Sequence, residues 1–90
     1  MAKIDSPMFK LINETIELVM QPGALDSKTK LLIALALDAF KGSEPGVWTL
    51  AEQARSEGAT EEEIREVLRI VYLISTMECL KAGAAAQKDT

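Results

Sequence analysis

Apolar residues fall at Phe9, Ile12, Ile16 and Val19, and spacings of three, four and three line one face of an α-helix. Ser6 followed by Pro7 predicts its start: a hydroxyl serves the orphan N–H groups, and proline at the first helical position gives up a donor that has no partner anyway. Gln21-Pro22-Gly23 predicts its end. A second helix, capped by Asp26 or Ser27, runs to about Phe40, ahead of Gly42. Its segment from Leu31 to Leu37 is apolar without a break, so it has no evident polar face and is expected at the centre of the fold or in an interface. Pro45 or Gly46 opens a third helix through Trp48, Leu50, Ala51 and Ala54, and Gly58 suits the left-handed residue that ends it. Thr60 and Glu63 form the reciprocal pair of a capping box for a fourth helix, with Glu61 and Glu62 at the positive end of its dipole. Ile64, Val67, Leu68 and Val71 make its inner face. It is expected to end near Leu80 or Lys81, before Gly83, with Ala84 to Thr90 frayed. No strand alternation, internal repeat or low-complexity linker appears, so the reading is all-α, a small multi-helix bundle with one domain over residues 1–90.

Composition turns that bundle into an assembly. A chain of 90 residues buries only about 60 to 65% of its unfolded surface. Yet 48% of its residues are apolar, and two uninterrupted apolar stretches stand out, Leu31 to Leu37 and Ile70 to Ile74 across Tyr72. Neither approaches the ~20 residues that cross a bilayer. Surplus apolar surface on a small chain is covered by other subunits, so a homo-oligomer is expected.

Net charge is -4 and the pI is near 4.8, which disfavours nucleic acid and anionic membrane surfaces as partners. The first ten residues mix Lys3, Asp5 and Lys10 with Pro7 instead of leading into a long apolar segment, which points to the cytoplasm. One cysteine, Cys79, cannot close a disulfide within the chain, and with no histidine the common zinc and haem ligand sets are missing. No EF-hand spacing offers a carboxylate site instead, so no cofactor or metal is expected.

Gly23-Ala24-Leu25-Asp26-Ser27-Lys28-Thr29-Lys30, followed by Leu32-Ile33-Ala34-Leu35-Ala36, resembles the entry into the central helix of the carboxymuconolactone decarboxylase and alkyl hydroperoxidase-like family. Ala54 with Glu57-Gly58-Ala59-Thr60-Glu61-Glu62-Glu63-Ile64 is similar to that family's turn between two later helices. Together the landmarks cover about residues 23–80. The resemblance implies an all-α fold whose subunits join as trimers or hexamers through apolar helices.

The family's peroxidase-type members use a Cys-x-x-Cys-x-x-x-His motif with a glutamate on the preceding helix. A neighbouring base raises the thiolate fraction, and the second cysteine resolves the oxidised first one. By that resemblance the glutamate's place falls on Leu31, the cysteines' on Ser43 and Gly46, and the histidine's on Leu50. The decarboxylase branch lacks the cysteines but keeps the histidine for proton transfer, which leucine cannot perform. The fold carries over and no catalytic residue does.

The remaining chemistry-bearing residues have ordinary roles to fill. Cys79 is expected as a small, buried or half-buried residue near a helix C-terminus, where the dipole opposes thiolate formation. Ser43, beside Glu44, is expected to cap the third helix, because serine acts as a nucleophile only with a base in reach. Trp48 reads as a core or interface aromatic, Tyr72 as an interface tyrosine, Glu78 as a solvated charge, and Asp38 as one half of an ion pair with a partner such as Lys41 or Arg55. The favoured function is a non-redox binding or structural oligomer, with Leu31, Ser43, Trp48 and Leu50 lining a pocket for a small apolar molecule. Two alternatives stay open. One is an enzyme of the family, a peroxidase-type oxidoreductase or carboxy-lyase working through other residues. The other is a helix-turn-helix DNA-binding module built on Ala54, Gly58 and Ile64, although Glu61, Glu62 and Glu63 would then face phosphates.

Overall fold

The computed structural model describes residues 5–87, without the side chain of Glu78; Lys3 and residues 88–90 of the tail expected to fray lie outside them. Within that span the chain forms four helices and no strand: α1 Ser6–Met20, α2 Ser27–Lys41, α3 Glu44–Ser56 and α4 Glu61–Ala84.

Local chemistry sets each boundary. Asp5, one residue earlier than expected, caps α1, its Oδ1 accepting from the Met8 N–H at 2.9 Å. A carboxylate suits the positive end of a helix better than a hydroxyl does. Asp26 caps α2 and accepts from the Thr29 N–H at 2.8 Å; the hydrogen bonds from Thr29 hold its carboxyl below the ordinary carboxylate range. Gly42 (φ 79) and Gly58 (φ 98) take the left-handed conformation after α2 and α3. At α4 the Glu63 N–H donates to Thr60 Oγ1 at 3.0 Å while the Thr60 N–H donates to Glu63 Oε1 at 2.8 Å, which completes the capping box. This helix runs past its expected end and through Gly83. A lone glycine costs a helix only about 1 kcal/mol relative to alanine, too little to stop it between Ala82 and Ala84.

The core lies where α2 meets α3 and α4. Leu31 and Leu35 from α2 pack with Ala51 and Ala54 from α3, Ala59 from the turn and Ile64 from α4, and Met20, Leu32, Val47, Leu50 and Val67 close around them. The two alanines let the α3 backbone approach α2 closely. Lys28 Nζ joins the start of α2 to the start of α4 through Glu63 Oε2 at 3.0 Å. The Thr60 backbone N–H first, and Lys28 after it, draw the Glu63 carboxyl below its ordinary range. A depressed carboxyl adds stability that is complete above the unfolded-state pKa and is lost as pH falls through the folded one. Glu63→Gln is therefore expected to unfold at lower urea than wild type at neutral pH, with the two midpoints converging on acidification. Parallel pH profiles would contradict that role.

α1 belongs to the body least. It buries no residue, and its apolar face is open, with Phe9 52%, Ile12 39%, Ile16 52% and Val19 55% exposed. Its C-terminal end is tied down by Lys30, whose Nζ donates to the carbonyls of Val19 (2.8 Å) and Gln21 (2.7 Å), a cation on the negative end of a helix. Beyond Val71, α4 also carries apolar residues in the open: Leu73, Ile74, Met77 and Leu80. The chain spans 58 × 33 × 26 Å with a radius of gyration of 17.4 Å, against about 12 Å for a compact chain of this length.

Candidate functional site

α2 and α3 form a hairpin whose bend is Gly42-Ser43, and α4 crosses beside it. The angle between them holds a cleft of about 640 Å³. Leu35, Val47, Trp48, Ala51, Ile64 and Leu68 give it an apolar lining, and Ser43, Glu44 and Arg55 bring polar side chains to it. Trp48 is 69% exposed, so the indole is neither a core residue nor covered within the subunit.

Of the four residues expected to share a pocket, the structure brings together Ser43 and Trp48. Leu50 lies elsewhere, in a second depression with Leu37, Asp38, Phe40 and Lys41. Trp48 and Leu50 are two residues apart on a helix and so point to nearly opposite sides. Leu31 is inside the core, 9% exposed, and Leu50 packs against that same cluster.

Ser43 occupies the N-cap position of α3, but its side chain makes no capping hydrogen bond. Pro45, the second helical residue, lacks one of the two N–H groups such a cap serves. Asp38 pairs with neither Lys41 nor Arg55. Its carboxylate lies instead against Gly46, where a Cβ would fall 2.9 Å from Asp38 Cγ, closer still to its Oδ2, and 3.1 Å from Ser43 Oγ. A side chain at position 46 would require the Asp38 carboxylate to move aside. That contact bridges two antiparallel helices, and no local spacing announces it.

Arg55 is committed elsewhere. Its Nε and Nη2 donate to the two carboxylate oxygens of Glu61 at 2.5 and 3.1 Å, and its Nη1 to Glu52 at 2.6 Å. These bonds, Glu61's first, make the guanidinium hold its proton more tightly and depress the Glu61 carboxyl. The three acidic residues that open α4 are occupied by Arg55, by Arg65 and by Lys28 with Thr60. Among the described residues no group of three His, Cys, Asp or Glu side chains is placed to hold a metal ion. Ala54 and Ile64, two of the helix-turn-helix positions, are buried, and Gly58 makes the turn between their helices.

Cys79 is exposed, contrary to the expectation of burial, because its part of α4 runs beyond the last core residue. Tyr72 is exposed as well, at 72%. No helix among the described residues is long and apolar enough to cross a membrane.

The sequence model of the carboxymuconolactone decarboxylase family matches residues 7–89. The chain belongs to that family. No curated protein and no solved structure matches it. In this carboxymuconolactone decarboxylase family member, the places to which the resemblance assigned four functional groups have separate fates. Those of the glutamate and histidine, Leu31 and Leu50, are hydrophobic packing. That of the second cysteine, Gly46, lies against the Asp38 carboxylate. Only that of the first, Ser43, opens on the cleft.

Proposed function

We propose that this family member is a non-redox binding protein that works as an oligomer, with the Trp48 cleft as its ligand site. One observation carries the reading: of the two positions that the resemblance gives to the family's glutamate and histidine, Leu31 is buried in the core and Leu50 packs against it away from the cleft, so a group bound in the cleft meets mostly apolar carbon, one exposed indole and the polar side chains of Ser43, Glu44 and Arg55. Such a surface favours a small molecule with an apolar body. The hydroxyl of Ser43 faces no imidazole, since the chain has none, and the lone thiol of Cys79 does not line the cleft. Measurable peroxide reduction or lactone decarboxylation by the purified protein would overturn the non-redox part.

The oligomer is supported by surface area. The subunit exposes 7268 Å², whereas a compact monomer of its 9.8 kDa exposes about 5,200 Å². The difference is of the order that permanent interfaces bury. Light scattering is expected to give the mass of a trimer or hexamer. Ile12→Glu combined with Ile16→Glu, on the open face of α1, is expected to lower that mass while circular dichroism keeps its helical signal, because neither side chain touches the core. A monomeric wild-type protein would defeat this part of the proposal.

A further inference from the structure

We propose that the cleft selects a hydrophobic cation, an aromatic or aliphatic body carrying one ammonium group. The inference rests on reading the cleft as a ligand site, and it concerns the charge of what enters. Glu44 and Trp48 are four residues apart on α3 and therefore neighbours on one face of that helix, about 5 to 6 Å between their Cβ atoms. Both line the cleft. An ammonium seated over the open indole lies within reach of the Glu44 carboxylate, so one small group satisfies a cation–π contact and an ion pair together.

The other charges do not offset this. Arg55, the basic residue of the cleft lining, already donates from all three of its nitrogens to Glu52 and Glu61, so a ligand carboxylate meets a guanidinium balanced twice over. Lys41 lies in the depression on the other side of the hairpin. Among the described residues no ion pair engages Glu44. The N-terminus of α3 would by itself attract an anion, but it abuts the C-terminus of α2 across Gly42 and Ser43. Glu44, in the first turn of α3, already meets that N-terminal end with a carboxylate, so a ligand anion there faces a like charge.

An exposed apolar stripe of α4 lies away from the cleft. Leu68 touches the cleft, and Ile70 lines an apolar depression with Leu32, Ile33, Ala36 and Val67. Two residues along a helix is more than half a turn, so the exposed stripe Ile70, Leu73, Met77 and Leu80 looks away from Trp48.

Trp48 is the only tryptophan, so its fluorescence reports on the cleft directly. The test titrates the wild-type protein with 2-phenylethylammonium, 2-phenylethanol and 3-phenylpropionate, which share a ring and differ in charge. The ammonium is expected to bind about tenfold more tightly than the carboxylate at low salt, with the alcohol between them. Added salt should narrow the gap. Glu44→Gln, a change on the surface, is expected to reduce the ammonium to the level of the alcohol. Equal binding of all three probes, tighter binding of the carboxylate, or an unchanged preference in Glu44→Gln would overturn the inference while leaving the cleft a ligand site. Failure of every probe to perturb Trp48 would overturn the ligand-site reading and this inference with it.

Discussion

Leu35→Ala is expected to lower the unfolding free energy by about 3 to 4 kcal/mol. Leu35 has no exposed surface and is the largest side chain so fully buried among the described residues. It stands where α2 meets both other core helices, so all three lose contacts when it is shortened. The hole would be hard to refill, because its neighbours Ala51 and Ala54 have no flexible atoms to move into it and Ile64 is itself packed. Poor collapse places the loss in the upper part of the usual range for this substitution. Domains of this kind have about 5 to 15 kcal/mol in total, so the variant should be partly unfolded well below the wild-type melting temperature. Urea denaturation checks it, provided both proteins are compared at one concentration, since assembly ties apparent stability to mass action. A loss under about 1 kcal/mol would mean that the core is centred elsewhere.

The helices were legible because their signals are local. Asp26, the Thr60 and Glu63 pair, and Gly58 each declare a helix end within four residues of chain, and the structure uses all of them. At α1 the hydroxyl of Ser6 was read as the cap, and the structure caps one residue earlier, with the Asp5 carboxylate. Burial along α2 was not legible, because Leu31 to Leu37 has no polar residue to mark its outer side. The structure buries Leu31 and Leu35 and leaves Ile33 and Leu37 in the open. For the site, counting along the chain located the replaced family positions but not their arrangement. Helical geometry alone would have separated Trp48 from Leu50. The seating of Asp38 on Gly46 was beyond reach, since it depends on the register of two antiparallel helices. Glu44 was read only as a companion to Ser43, and its value shows once Arg55 is seen to be fully occupied by other carboxylates.

Placing a glutamate alone at position 31, where the resemblance puts the family's, by Leu31→Glu, is expected to cost about 3 kcal/mol or more at neutral pH. The leucine it replaces is 9% exposed among aliphatic and alanine side chains, so the substitution removes apolar burial and puts a carboxyl into a site with little water. Lys28, one turn earlier on the same face of α2, already donates to Glu63 at 3.0 Å, and turning it inward would unfasten α2 from α4. Burial favours the neutral acid, so the folded pKa of this carboxyl should rise above the unfolded value of about 4.3. Between those two values the unfolded chain has released a proton that the folded one still holds, and stability falls as pH rises. The penalty should therefore be smallest in acid, grow through the weakly acidic range, and level off once pH passes the folded pKa. Leu31→Gln, nearly the same shape but without a charge, should lose the packing and show no such slope. If the two variants track each other across pH, position 31 is open to water and the description of the core is wrong. Leu50 packs against the same cluster, so Leu50→His placed beside Leu31→Glu should be less costly than the sum of the two single changes, each polar group supplying the other's partner. A double-mutant cycle that returned simple additivity would show that the two introduced groups do not meet; a favourable coupling would show that they do.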